Sequence, residues 1–355
     1  MLRRIEIRQL AHILVLFLIV QFGGLLVASL VFSTSQISTE VASPVINSVP
    51  QTLYYFSFII GFAILLLIII RLYKGDIIFT LLEAFTIIST SFFFFLILLS
   101  YMFPQLDFMA VWPPALLISI ALMYAKSKRP SLRNIVAIVS SIGFGVILGV
   151  SFLFISAFLL MALIAAYDYV AVFITKHMIT FAKAMSSRNL AFLISASDIE
   201  VASRSDLAST KEYKRHIQDI KKLNNPVMNR ILKGGGVPVL AQVQLGAGDL
   251  GLPLMLAVSA YSVFFSYFLS IAIVVGASVG LVATMLLLKR YQRALPAIPP
   301  LFTFISIAIG LALLFTEQSD IMLSAAFVVL GILVFAIMLL TLNRMEKKVD
   351  RSSRR

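Results

Sequence analysis

Residues 154–175 read Phe-Ile-Ser-Ala-Phe-Leu-Leu-Met-Ala-Leu-Ile-Ala-Ala-Tyr-Asp-Tyr-Val-Ala-Val-Phe-Ile-Thr, an apolar run broken by one charged residue, Asp168. About 20 apolar residues carry a helix across the hydrocarbon core, so this run reads as a membrane span. An ionised side chain at bilayer depth is costly, which makes an acid inside a span a functional candidate by default. The fold follows from the other spans and from which way each one points.

Similar runs lie at residues 10–32, 53–72, 77–103, 108–125, 135–152, 245–265, 267–288, 294–315 and 321–342, making ten spans with the first. The composition agrees, with 60% hydrophobic and 13% charged residues in a chain of 355, where soluble domains carry about 25% charged. The mean hydropathy is +1.01. A net charge of +13 would suggest nucleic acid as a partner for a soluble chain. Here the basic residues sit in short stretches between apolar runs, which is how membrane topology is written, and no nucleic acid partner is implied. The absence of cysteine excludes disulfides, thiolate metal sites and a thiol nucleophile. The first run is longer than the roughly 7–15 residues of a signal-peptide core and reads as an uncleaved span.

If the N-terminus is inside, the inside connections hold Arg3, Arg4, Arg8, Arg71, Lys74, Lys126, Lys128, Arg129, Arg133, Lys289, Arg290 and Arg293. They also hold the segment 176–233 and the tail 344–355, so that all 29 Lys and Arg residues fall on one side. The opposite connections carry only neutral or acidic residues such as Glu40, Asp107, Glu317 and Asp320. This obeys the positive-inside rule without exception and predicts an all-α polytopic protein of the cell membrane with both termini cytoplasmic. Four segments follow: spans one to six at 1–175, a cytoplasmic loop at 176–243, spans seven to nine at 244–315, and an extra span with a basic tail at 316–355. Within the loop, 210–223 places Tyr213, Ile217, Ile220 and Leu223 on one helical face, as in a helix lying on the anionic inner leaflet or packed on the bundle. Residues 237–243, Val-Pro-Val-Leu-Ala-Gln-Val, are open to an extended reading.

Three acids stand at membrane depth: Glu83, Asp168 and Asp249. Asp168 lies roughly 12 Å from the inner exit of the sixth span at 1.5 Å per residue. Asp249, in Gln244-Leu-Gly-Ala-Gly-Asp-Leu-Gly-Leu-Pro253, lies near the inner start of the seventh. The two spans are antiparallel and consecutive, so the carboxyl groups are able to face one another. A facing pair in a low dielectric tends to share one proton. The ionised partner then accepts a proton from water while the protonated one polarises a carbonyl, with no metal or cofactor. Each acid can instead be a packing or proton-relay residue. Glu83 has no such motif around it and reads as a structural hydrogen bond or a water-lined wall. Gly246, Gly248, Gly251 and Pro253 each weaken a helix, and irregular backbone at this depth is expected to line a water-filled cavity or to serve close packing. Pro296, Pro299 and Pro300 disfavour regular helix at the start of the ninth span, where an extended segment could hold a substrate backbone; read alone, the cluster is a helix start with proline near its first turn.

Taken in order, Tyr167-Asp168, Gly246-Ala247-Gly248-Asp249 and Pro296-Ala297-Ile298 resemble the Tyr-Asp, Gly-x-Gly-Asp and Pro-Ala-Leu motifs of the presenilin and signal-peptide-peptidase family of intramembrane aspartyl proteases. Residues 167–184 look presenilin-like beyond the motif, and the basic composition suggests an archaeal member. The resemblance covers about residues 1–315. It implies a nine-helix bundle with Asp168 and Asp249 as the catalytic pair. It also implies that Tyr167, Gly246, Gly248, Leu250, Pro296, Ala297 and Ile298 shape the site and bind substrate, and that transmembrane proteins, peptides or remnant signal peptides are the substrates. The chain departs from the family in Ile298, which replaces a leucine of similar volume, and in the tenth span, read as a substrate-facing or oligomer surface that leaves a homo-oligomer open. The alternative is a proton- or cation-coupled secondary transporter, which would use the same intramembrane acids.

Overall fold

The computed structural model describes residues 7–33, 46–72, 77–129, 132–175, 193–202, 237–291, 295–315 and 321–353. Ten long helices follow the ten expected spans: α1 (Ile7–Ser33), α2 (Val49–Leu72), α3 (Ile77–Met102), α4 (Phe108–Lys128), α5 (Arg133–Ser151), α6 (Phe154–Tyr169), α7 (Ala247–Phe264), α8 (Tyr267–Tyr291), α9 (Ile298–Leu313) and α10 (Ile321–Ser353). Among the described residues nine helical segments are long and apolar enough to cross a membrane, and α9 is a shorter apolar helix. Their outer surface keeps Phe58, Phe85, Met109, Ile155 and Met322 exposed. Such a large apolar surface needs lipid to cover it.

The bundle is built around α7. Every residue from Leu250 to Ala260 is buried, and α1, α5, α6 and α8 pack around it. Small residues on the neighbours make this possible. A Cβ at Gly145 of α5 would lie 2.7 Å from the side chain of Leu254, and one at Gly24 of α1 would strike the same side chain. Lipid tails are as apolar as leucine, so packing of this kind, rather than exclusion of water, holds membrane helices together. Two hydroxyls add polar ties: Ser259 donates to the carbonyl of Phe152 at 3.0 Å and Ser270 to that of Ala257 at 2.8 Å.

Three features of the backbone bear on the site. The sixth span is not α-helical to its end: Val170–Ile174 form a π-turn, with the N–H of Thr175 donating to the carbonyl of Val170 at 3.0 Å. The glycines and proline near Asp249 do not break the seventh span, because regular helix begins at Ala247 and runs through Gly248, Gly251 and Pro253. Helix is tolerated there because Gly251 lets the Phe144 ring approach and Pro253 is accommodated within a tightly packed helix. Finally, the chain is not purely helical. β1 (Leu193–Ala202) pairs antiparallel with β2 (Val237–Gly246), in register from Leu193 opposite Gly246 to Ala202 opposite Val237. The extended reading of 237–243 thus holds and extends three residues further, directly into α7. The amphipathic segment 210–223 lies outside the described residues.

Glu83 is buried on α3 and accepts from Nζ of Lys126 on α4 at 2.6 Å. Its structural reading holds: the carboxylate ties two helices away from α7.

Candidate active site

Asp168 closes the last α-turn of α6 and is buried at 8% exposure. Its partner is the start of α9. A helix leaves its first N–H groups without internal acceptors. In α9 the second and third helical positions are Pro299 and Pro300, which carry no N–H, so proline costs nothing there. The donors that remain at the tip are those of Ala297 and Ile298. The Ile298 N–H donates to Oδ2 of Asp168 at 3.3 Å, and Ala297 bonds the same carboxylate. The positive end of the α9 dipole adds to this attraction for an anion. Of the two readings of the proline cluster, the helix start holds: Pro299 and Pro300 lie in the first turn of α9. Pro296 and Ala297 precede the helix, Ile298 begins it, and the Ile298 N–H is turned toward Asp168.

Asp249 sits in the first turn of α7, three residues after the N-cap Gly246, and its Oδ2 accepts the Gly246 N–H at 3.3 Å. Gly246 has φ −68° and ψ 146°, open to any residue. Glycine is favoured for space instead, since a Cβ there would lie 3.2 Å from Oδ2 of Asp249. The two aspartates thus sit at helix N-termini, one at the head of its own helix and one at the head of another.

Water has room next to the turn that carries Asp249. A cavity of about 160 Å³ opens between α3, α5 and the start of α7. At about 30 Å³ per molecule that is space for roughly five waters. Thr86, Thr90 and Ser140 supply hydroxyls, and Ala247 and Gly248 form the wall next to Asp249. Gly248 is exposed, with nothing within 4 Å of where its Cβ would stand. Leu250, by contrast, is fully buried beneath the turn. Tyr167 is half-buried beside Asp168.

Two residues near the pair were not singled out in the sequence. Gln21 of α1 is fully buried and donates Nε2 to the Leu250 carbonyl at 2.9 Å, gripping the turn that carries Asp249. Its signal is an amide in an apolar span, weaker than a charge because it costs less to bury. Tyr169, next to Asp168, bonds Thr341 of α10 at 2.6 Å. No spacing rule joins positions so far apart.

The family described as signal-peptide peptidase, presenilin aspartyl protease matches residues 14–315. The chain belongs to this family. It is an intramembrane aspartyl protease, a multi-pass membrane hydrolase whose substrates lie within the membrane. Two solved structures, both described as a presenilin family intramembrane aspartate protease, share the fold of this protease. One, in space group C222, is 18% identical with a TM-score of 0.51. The other, in space group P2, is 19% identical with a TM-score of 0.54. Each alignment covers 85% of this protease and 96% of the solved chain. No curated protein matches it significantly. Nothing in the family or the fold favours the transporter reading.

Proposed function

We propose that Asp168 and Asp249 are the catalytic pair of this protease and that they hydrolyse peptide bonds in transmembrane segments or remnant signal peptides. One arrangement carries the assignment: the two membrane-depth acids are held at the heads of α9 and α7 on packed helices, and a cavity with room for water lies against the turn that carries Asp249. Two carboxylates so placed in a low dielectric do not both stay ionised, and they hold one proton between them. The ionised member takes a proton from a bound water as its oxygen attacks the scissile carbonyl carbon. The protonated member donates to the carbonyl oxygen, giving a tetrahedral gem-diol. Proton return to the amide nitrogen then breaks the C–N bond, releasing amine and carboxyl products without a covalent intermediate.

A substrate helix has its carbonyls hydrogen-bonded along its own axis, so it must unwind before attack. Ala297 and Ile298 lie at the head of α9 against Asp168, where the Ile298 N–H is already taken by the carboxylate. Their role in this scheme, with Pro296, is to hold Asp168. β2 offers the extended backbone instead. It leads through Gly246 to Asp249 and pairs with β1 along one edge, and strand addition by an unwound substrate is assigned to its other edge. Gly248 admits substrate or water at the cavity wall, while Leu250 and Tyr167 fill the space around the two acids. The charge pattern supports cytoplasmic termini and an active pair in the inner half of the cell membrane.

The test is cleavage of a reporter transmembrane substrate by purified protein in lipid. Asp168→Asn and Asp249→Asn should each abolish it while the protein stays folded. Cleavage that persists in both variants removes the assignment.

A further inference from the structure

Helix α10 lies beyond the residues 14–315 that the family accounts for. An extra apolar helix needs only lipid to be stable, yet this one is joined to the two helices that build the Asp168 site. Its backbone meets α9 closely: a Cβ at Gly331 would stand 2.7 Å from the Thr303 carbonyl oxygen, and one at Gly310 would stand 2.6 Å from that of Ser324. It reaches α6 as well, where the rings of Phe327 and Phe158 meet edge to face at 4.8 Å. α10 therefore bridges the seam in which Asp168 of α6 meets Ile298 of α9.

The contact continues to the inner end. Met338 and Leu342 are 1% and 2% exposed and pack on Val172 and Phe173, in the π-turn that follows Asp168. Leu295, immediately before Pro296, packs into the same cluster. Thr341 lies between the two anchors. Its hydroxyl donates to the Ile337 carbonyl at 2.9 Å, and a hydroxyl has one proton, so in the 2.6 Å pair with Tyr169 the tyrosine is the donor.

We propose that α10 is a positioning strut for the active site, with Thr341 as a positioning residue that holds the Asp168 end of α6 through Tyr169. The inference rests on the catalytic role given to Asp168 above. The physical need is plain. Asp168 sits at the junction of an α-helix and a wide π-turn, near the end of its element, where helices open most easily. A displacement of about 1 Å at such a group costs up to about 100-fold in rate. The cluster on Met338 and Leu342, with the Tyr169 hydroxyl fixed on Thr341, removes that freedom and links it to the Leu295–Ile298 segment that bonds the carboxylate.

The test uses the full chain in lipid. Thr341→Val keeps the shape and removes the acceptor, Tyr169→Phe removes the donor, and Thr341→Ser keeps the acceptor. Thr341→Val and Tyr169→Phe should each lower kcat about tenfold with KM and thermal unfolding little changed. The double variant should be no slower than either single one, and Thr341→Ser should restore the wild-type rate. Amide hydrogen exchange at residues 170–175 should quicken in Thr341→Val and return to the wild-type rate in Thr341→Ser. Wild-type kcat and exchange in both Thr341→Val and Met338→Ala overturn the strut. If the unaltered protein cleaves no substrate, it is the assignment of the aspartates that fails, and the exchange rates alone then decide whether α10 holds the turn.

Discussion

The backbone N–H of Ile298 and the carboxylate of Asp168 meet at 3.3 Å across 130 positions of sequence. An acid in one membrane helix therefore caps the start of another. The proline-rich segment serves by the donors it lacks as much as by those it has. With Pro299 and Pro300 unable to donate, the head of α9 presents a small, directed set of N–H groups to one carboxylate.

This relationship separates two substitutions that should be equally inactive. Asp168→Asn keeps an oxygen for the Ile298 and Ala297 donors, so unfolding in detergent should stay close to wild type. Asp168→Ala leaves those buried donors unpaired and should cost about 1–3 kcal/mol. Thermal or denaturant unfolding of the two proteins, compared at equal yield, checks the contrast.

Gly246→Ala should impair catalysis without harming the fold. The backbone at 246 accepts any residue, so stability should change little, while the added methyl stands 3.2 Å from the Asp249 oxygen and pushes it off line. A loss of about tenfold or more in reporter cleavage is expected. Equal rates for the two proteins would mean that the carboxyl has slack there.

Packing around α7 should be sensitive and coupled. Gly145→Ala forces a methyl against Leu254 and should cost about 1–3 kcal/mol. Leu254→Ala opens a hole in the centre of the bundle and should cost about 2–5 kcal/mol. Because the two changes fill and empty the same space, the double variant should be less destabilised than the sum of the single ones. A double-mutant cycle on unfolding midpoints reads the coupling.

The Glu83–Lys126 pair should matter to stability and leave chemistry alone. Its side chains are 4% and 12% exposed. Lys126→Met strands part of a buried negative charge and should destabilise by up to about 3 kcal/mol. Replacing both residues, as in Glu83→Leu with Lys126→Met, should recover most of that loss. Reporter cleavage per folded molecule should be the same in all three proteins.

The sequence by itself determined the ten apolar helices, the gathering of the basic residues in alternate connections, and the two acids worth asking about. Each of these is a local or additive property: twenty apolar residues make a span wherever they occur, and a charge within one is costly whatever its neighbours. It also marked the proline and glycine motifs, but left open whether each broke its helix or served a helix start and close packing. Gly248, Gly251 and Pro253 lie within regular helix because packing on α1 and α5 outweighs a propensity cost of about 1 kcal/mol per glycine. Ile298 begins a helix because proline is welcome at helix starts. Only the tertiary structure decided that Asp168 faces the head of α9, that Gly246 leaves room for the Asp249 carboxyl, and that α10 holds the turn after Asp168 through Tyr169 and Thr341. These are contacts between residues separated by tens to hundreds of positions, and no periodicity along one helix encodes which face of another it will meet.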